Sequence, residues 1–188
     1  KEKHLILTEN GGELVFMFRG EITEFQFYQN RKAEKLIMMP FCQEDLEMHG
    51  HNFFELAYIT GGTAEHTLEN EGKTISAGDY FFVDYGCLHG FQNCKNLTLI
   101  NCLFLPETVD ETLQGCRSFS QLLQGCLLKY YRMSLGQAKF ARVFHDRDGQ
   151  VGQLMQEMLL EYQEQKVGCY PLLRFKLLEI LLLTLRGL

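Results

Sequence analysis

The spacing of hydrophobic residues along the chain changes near Pro106. Up to that residue, short runs of aromatic and β-branched residues alternate with turn-forming residues such as Gly61 and Gly62, a pattern that predicts strands. A spacing of roughly 8–12 residues between such strands is typical of a sandwich or barrel rather than of alternating strands and helices. The predicted strands are residues 14–18, 22–28, 36–39, 55–59, 63–68, 73–76, 80–84 and 98–105.

Beyond Pro106, apolar residues recur at the three- and four-residue spacing of a helix. One helical run covers residues 113–126, and a short strand is predicted at 140–144. An apolar stripe then predicts a helix over residues 151–165, with Asp148 as its N-cap. The fold is therefore expected to be mainly β, followed by helices.

A final helix is predicted over residues 171–186, after a stop at Gly168. It is apolar around most of its circumference, so more than one neighbour must cover it. The barrel and the preceding helix can cover two sides, and a second copy of the chain is a candidate for the third. Burial within one monomer is the alternative. The predicted dimer contacts are Leu178, Leu181, Leu182 and Leu185, with Arg174 and Arg186 at the rim.

Composition and charge narrow the function classes. Hydrophobic residues make up 46% of the chain and charged residues 22%, which is typical of a globular protein. Seven scattered cysteines without a CxxC pair, and no recognisable leader or membrane span, predict a cytoplasmic location. Residues 1–111 carry 8 basic and 18 acidic groups. This acidic body is not expected to bind nucleic acid by itself.

Four side chains carry the candidate chemistry. His49 and His51 are two residues apart and therefore share one face of a strand. The chain must turn near Asn52 for Glu55 to lie beside them, and His89 arrives from a separate hairpin. Three imidazoles and one carboxylate suit a divalent transition metal such as zinc, iron, manganese or nickel. Without a metal, the same residues would form a polar patch in an apolar pocket.

The spacing of these residues resembles the two-part cupin signature. The first part, His-x-His-x3-Glu-x6-Gly, is matched at His49, His51, Glu55 and Gly62, with Gln43 in place of the leading glycine. The second part, Gly-x5-Pro-x-Gly-x2-His-x3-Asn, is matched at Gly78, Gly86, His89 and Asn93, with Asp84 in place of the proline. The resemblance implies a cupin barrel, a double-stranded β-helix, in which His49, His51, Glu55 and His89 occupy the metal-ligand positions.

A narrower resemblance is to the N-terminal sensor domain of AraC-family transcription regulators. It rests on residues 55–62, His66, residues 78–83 and His89, and on helical segments at 158–162 and 177–186. It covers residues 10–186. The resemblance implies an effector-binding barrel over 1–108 and a helical dimerisation extension over 109–188. DNA binding would belong to helix-turn-helix units expected after the last residue.

The resemblance also implies a small-molecule effector inside the barrel and a homodimer built on the last two helices. The implied pocket residues are His49, His51, Glu55, Tyr58, His66 and His89. His66 shares a strand face with Ala64 and Leu68, so it is predicted to point inward, with a surface position as the alternative. A metal-dependent cupin enzyme of the dioxygenase or isomerase type is the alternative function.

Overall fold

The computed structural model describes residues 5–9, 12–16, 22–23, 35–128 and 143–187. The strands are β1 (Leu5–Glu9), β2 (Gly12–Phe16), β3 (Ile22–Thr23), β4 (Leu36–Gln43), β5 (Leu46–His51), β6 (Phe54–Leu68), β7 (Glu71–Ser76), β8 (Asp79–Val83), β9 (His89–Phe104) and β10 (Val143–His145). The helices are α1 (Phe119–Leu123), which continues as a π-helical turn (Gln124–Leu128), α2 (Gln150–Glu164) and α3 (Cys169–Arg186), with short 3₁₀ turns at Pro106–Thr108 and Glu111–Leu113.

Two long strands organise the main sheet. β6 and β9 pair antiparallel from Phe54 opposite Phe104 to Leu68 opposite His89. The sheet order is β10-β8-β6-β9-β5-β3, with β4 also pairing with β9 and β7 with β6. β3 runs parallel to β5, and β1 forms a separate hairpin with β2. The prediction of a mainly β, cupin-type barrel followed by helices is confirmed.

The bend in β6 explains why two strands were predicted where the structure has one. The pairing with β9 shifts register between Ile59 and Glu65. Gly62 lies in this stretch with φ of +73°, a conformation that glycine adopts without steric cost. A side chain there would also overlap the backbone of Asn96. The glycine pair therefore bends a continuous strand rather than ending it.

Other predicted elements differ from the structure at their ends. Gly149, with φ of +71°, is the N-cap of α2, where Asp148 was expected. Gly168 caps the start of α3, while α2 already ends at Gln165 in a left-handed conformation. The predicted strand at 140–144 is observed as β10. Its residues 140–142 lie outside the described part, as do residues 17–18 and 24–28 of two predicted N-terminal strands.

Side chains of the sheet alternate between two apolar clusters. Those of Ala57, Ile59 and Phe81 face the barrel interior, whereas Leu56 and Phe82 face the helices. This two-residue alternation is the ordinary consequence of strand geometry. One cluster therefore fills the barrel, and the other joins the outer face of the sheet to α1, α2 and α3.

Helix α3 buries one side against the sheet and α2. Leu173, Leu177, Ile180 and Leu181 are all completely buried within the monomer, and burial of each is worth roughly 1.5–3 kcal/mol. The prediction that Leu181 contacts a partner is therefore wrong, because its side chain already belongs to the monomer core. Leu178 and Leu185 are partly buried against the same core, and Leu182 is half-buried. No helix in the described ranges is long and apolar enough to cross a membrane.

A polar contact joins the barrel to α2. The Tyr58 hydroxyl of β6 donates to Asp146 Oδ2 at 3.2 Å, and the same oxygen accepts from Gly152 N at 2.8 Å. Gly152 lies in the first turn of α2 against the Tyr58 ring, where an added Cβ would overlap the hydroxyl and Cζ. The start of α2 is therefore fixed on the barrel by a close approach that requires glycine.

We expect Gly152→Ala to destabilise the protein by about 1–2 kcal/mol. Overpacking against Tyr58 costs about 1–3 kcal/mol, and the roughly 1 kcal/mol that alanine gains over glycine in a helix interior is not fully available in the first turn. Urea unfolding measures the difference. The control is Gln153→Ala at the exposed neighbouring position, expected within about 0.5 kcal/mol of the unsubstituted protein. A Gly152→Ala variant as stable as the parent would contradict the packing at this junction.

Candidate functional site

The structure brings His49, His51, Glu55 and His89 together inside the barrel. His49 lies opposite His89 in the β5–β9 ladder, and the chain turns after His51 so that Glu55 enters β6. Each of the four residues is at most 4% exposed. The turn expected near Asn52 is thus present, and it places the carboxylate beside the imidazoles.

Three of these residues form the tightest group. One potential ligand atom from each of His51, Glu55 and His89 lies within 4.8 Å of the other two. Glu55 Oε2 is 3.2 Å from His51 Nε2 and 3.8 Å from His89 Nε2, so the carboxylate lies between two imidazoles. The His49 ring stands beside this group, with its centroid 4.3 Å from that of His89 and 6.4 Å from that of His51.

Backbone carbonyls orient two of the imidazoles. His51 Nδ1–H donates to Phe53 O at 2.9 Å, and His49 Nδ1–H donates to Glu47 O at 3.1 Å. In a neutral imidazole this arrangement makes Nε2 the nitrogen that offers a lone pair. Among the described residues, His51 Nε2 and both ring nitrogens of His89 have no partner in hydrogen-bond geometry. Buried nitrogens of this kind normally have a partner, so the site fits an added ligand.

Burial favours the neutral form of His49 and His89. Desolvation lowers the pKa of His49, although the nearby Glu55 carboxylate opposes the shift. Desolvation holds the pKa of His89 well below its usual range, and His49, His51 and His66 add to the effect. The neutral form is the one that binds metals. The cluster is therefore poised to accept a cation or hydrogen-bond donors.

His66 also points into the barrel. It is 1% exposed, its ring stacks on Phe81 with centroids 3.9 Å apart, and it stands 5.9 Å from the His89 ring. Burial lowers the pKa of His66 to about 4. His66 Nε2 has no hydrogen-bond partner within the described ranges. The expected inward orientation is thus observed, and His66 adds a polar group beside the four-residue cluster.

Tyr58 does not belong to the interior pocket, which corrects the sequence prediction. Glu55, Ala57 and Ile59 share the inner face of β6, so Tyr58 must face the other way. It lies in the helix-side cluster, where its hydroxyl reaches Asp146. Desolvation, with the nearby Asp146 carboxylate, raises the pKa of Tyr58 to about 12.

Two aromatic rings that sequence reasoning missed complete the interior. Phe53 stacks on His51 with centroids 4.1 Å apart and an interplanar angle of 4°. Phe91 lies 5.0 Å from His66 and 6.2 Å from His89. Phe91 follows His89 by two residues on β9, so the strand period was the available signal there, whereas Phe53 lies in the turn after β5. These rings narrow the interior and exclude water from the imidazoles.

Asp84 anchors the turn before His89, at the position where the cupin signature has proline. Its Oδ1 accepts from Phe119 N, the first residue of α1, at 2.7 Å. Burial raises the pKa of Asp84 to about 6 despite this hydrogen bond. The departure from the signature therefore creates a polar contact between the β8–β9 turn and the helical region.

The comparison with protein families gives one extensive match. The profile described as the AraC-like ligand binding domain matches residues 41–172, a range that includes every residue of the interior cluster. Part of the helical region lies within the same match.

Curated relatives agree with this match over shorter segments. The chain is 29% identical over 67 residues to the HTH-type transcriptional activator RhaR of Yersinia pseudotuberculosis, covering 36% of this chain and 23% of that protein. It is 29% identical over 89 residues to the activator RhaS of Citrobacter koseri, covering 47% of this chain and 32% of the relative. The matches thus span less than a third of either relative.

A solved RmlC-like cupin from Shewanella frigidimarina is also similar, with 19% identity and a TM-score of 0.35. The similarity covers 54% of this chain and 84% of the cupin.

Proposed function

Since the chain belongs to the family of AraC-like ligand-binding domains, we propose that it is the ligand-sensing domain of a transcription regulator. The observation that carries the proposal is the buried His51, Glu55 and His89 group inside the barrel of such a domain. DNA binding is assigned to another part of the full-length protein, as its relatives named HTH-type activators suggest. A regulator is favoured over a dioxygenase or isomerase because the family match is to a ligand-binding domain.

The interior ligand that the cluster fits best is a divalent transition metal. His51, Glu55 and His89 would hold it, with His49 as the adjacent fourth donor, and nitrogen and oxygen donors suit zinc, iron, manganese or nickel. The metal would act as a Lewis acid toward a bound effector. The protein contributes imidazoles, a carboxylate that balances positive charge, and aromatic rings that exclude water.

We expect the purified chain to bind one such metal tightly. Metal content is measured on protein prepared without a nickel column and equilibrated with zinc, manganese, iron(II) or nickel. Glu55→Gln keeps the side-chain shape while removing the charge, and it should weaken binding at least about tenfold. His145→Ala is the matched control, since its side chain is 60% exposed and lies outside the cluster.

Thermal melting provides an independent readout for the same variants. A ligand at 100 times its dissociation constant stabilises the native state by about 2.7 kcal/mol, so the metal should raise the melting temperature of the parent chain and of His145→Ala. If none of the four metals binds, or if Glu55→Gln binds as well as the parent, the metal site is wrong. An organic effector alone would then remain as the barrel ligand.

We further propose that the chain forms a homodimer through the exposed side of the α2–α3 hairpin. The apolar residues left in water there are Leu160, Leu172 and Phe175, which are 60%, 40% and 63% exposed. Lys176 of α3 contacts Glu157 of α2, and Leu160 and Leu172 lie about one turn from this ion pair, at the same level of the hairpin. A second copy would cover these exposed apolar side chains.

Phe175→Glu is expected to convert the dimer to a monomer at micromolar concentration. Burial of an aromatic ring is lost and a carboxylate is forced into the interface, where an unpaired charge is costly. Sedimentation velocity measures the mass. Gln92→Glu adds the same charge at an exposed position on β9 and should leave the dimer intact.

The same substitution tests the regulator itself when made in the full-length gene product. Two linked DNA-binding units gain affinity from their high effective concentration, so monomeric Phe175→Glu should bind its promoter DNA at least about tenfold more weakly. An unsubstituted chain that sediments as a monomer would contradict the dimer. Full-length protein without any affinity for DNA would contradict the regulator.

A further inference from the structure

A cavity lies outside the histidine cluster, at the turns that end the strands. It has a volume of about 440 Å³, within the range of roughly 300–1,000 Å³ that is common for small-molecule sites. Its walls come from the β5–β6 turn, the β8–β9 turn and the segment after β9. The polar residues that line this rim cleft are Asn52, Tyr85, Glu107, Gln114 and Arg117.

The rim cleft is separate from the histidine cluster. None of the cluster histidines, nor Glu55, lines it. Gly86 N donates to His51 O at 2.8 Å, so a backbone hydrogen bond joins the two turns beside the cleft. A ligand in the cleft would therefore meet Arg117 and Glu107 rather than imidazoles.

Arg117 has most of its donors available. Arg117 is exposed, and its Cζ lies 4.6 Å from the centroid of the Tyr85 ring, a cation–π contact that favours this position of the guanidinium. Its Nη1 donates to Cys116 O at 3.2 Å, which uses one of five N–H donors. Within the described ranges, no carboxylate lies within the 4.0 Å ion-pair distance of Arg117. A guanidinium with spare donors matches a carboxylate in bidentate geometry.

Glu107 gives the cleft a second, opposite charge. It is half-buried, and it too has no ion-pair partner among the residues that the structure describes. Two opposite charges thus line one cavity without meeting, which leaves space for a molecule between them. Its carboxylate accepts hydrogen bonds only, so it favours a hydroxyl or amino group on the ligand.

We propose that the rim cleft binds a small carboxylic acid that also carries hydroxyl or amino groups. Arg117 binds the carboxylate, Glu107 accepts from a hydroxyl or amino group, and the Gln114 amide lies beside them. This binding does not depend on the barrel metal or on the regulatory function.

The segment that forms the cleft is also tied to the helices. Arg174 of α3 donates from Nε to Val109 O at 3.0 Å, and Asp84 holds the start of α1. A bound acid that pulls Arg117 and Glu107 together would therefore act on α1 and α3. This consequence rests on the proposed function, whereas the binding site does not.

The test is a titration of metal-free, EDTA-treated chain with D-gluconate, L-lactate and L-serine. The uncharged comparison compounds, which lack the carboxylate, are sorbitol for gluconate, propane-1,2-diol for lactate and ethylene glycol for serine. Chemical shifts of ¹⁵N-labelled arginine Nε–H groups report on Arg117 directly. At least one acid should shift the Arg117 signal saturably, while the neutral compounds should not.

Variants decide whether the acid is in the cleft, and their affinities are measured by isothermal titration calorimetry because Arg117→Gln lacks the Arg117 signal. Arg117→Gln should weaken binding at least about tenfold, as expected when a charge-assisted bidentate contact is lost, and Glu107→Gln should weaken binding of the hydroxylated or amino acid. Arg147→Gln, at an exposed position, should bind as the parent does. The proposal is overturned if no acid shifts Arg117, if the neutral compounds shift it equally, or if Arg117→Gln binds as tightly as the parent.

Discussion

The antiparallel pairing of β6 with β9 is the constraint on which the site depends. This one ladder runs the length of both strands and fixes which residues meet inside the barrel. It places His89 at the start of β9, where β5 also pairs and delivers His49. Glu55 lies at the opposite end of β6, and the bend at Gly61 and Gly62 folds the sheet so that both ends reach the same interior. The chemistry therefore follows from strand register rather than from loops.

The burial of polar side chains in the barrel interior has an energetic cost. Placing imidazoles and a carboxylate away from water is unfavourable unless each finds a partner. Glu55 lies between His51 and His89, but the His89 nitrogens have no hydrogen bond in the described part. The aromatic stacking of Phe53 and Phe81 stabilises the rings without satisfying their nitrogens. A ligand that supplies those contacts would stabilise the folded barrel as it binds.

The sequence allowed much of the site to be predicted, because strand parity and motif spacing are local properties. The shared face of His49 and His51, and the turn that returns Glu55, follow from a two-residue period and the reach of an extended chain. The same parity, continued from Glu55, would have excluded Tyr58 from the interior.

The wrong prediction for Leu181 has another origin. A helix that is apolar on most sides does not indicate which neighbour covers which side. That choice depends on how α3 packs against the sheet and α2. The rim cleft was also beyond sequence reasoning, since Arg117 and Glu107 come together only through the path of the segment after β9.

The contact between Tyr58, Asp146 and α2 links the barrel to the helices. Tyr58 lies between inward-facing Ala57 and Ile59 on β6, so a movement of that strand would reach the helices directly. We propose that the buried histidines and Glu55 hold a divalent transition metal, and X-ray absorption spectroscopy of zinc-loaded chain distinguishes this site from the cysteines. We expect a first shell of nitrogen and oxygen at about 2.0–2.2 Å with imidazole scattering. A shell of sulfur at about 2.3 Å would place the ion on the cysteines and would contradict the proposal.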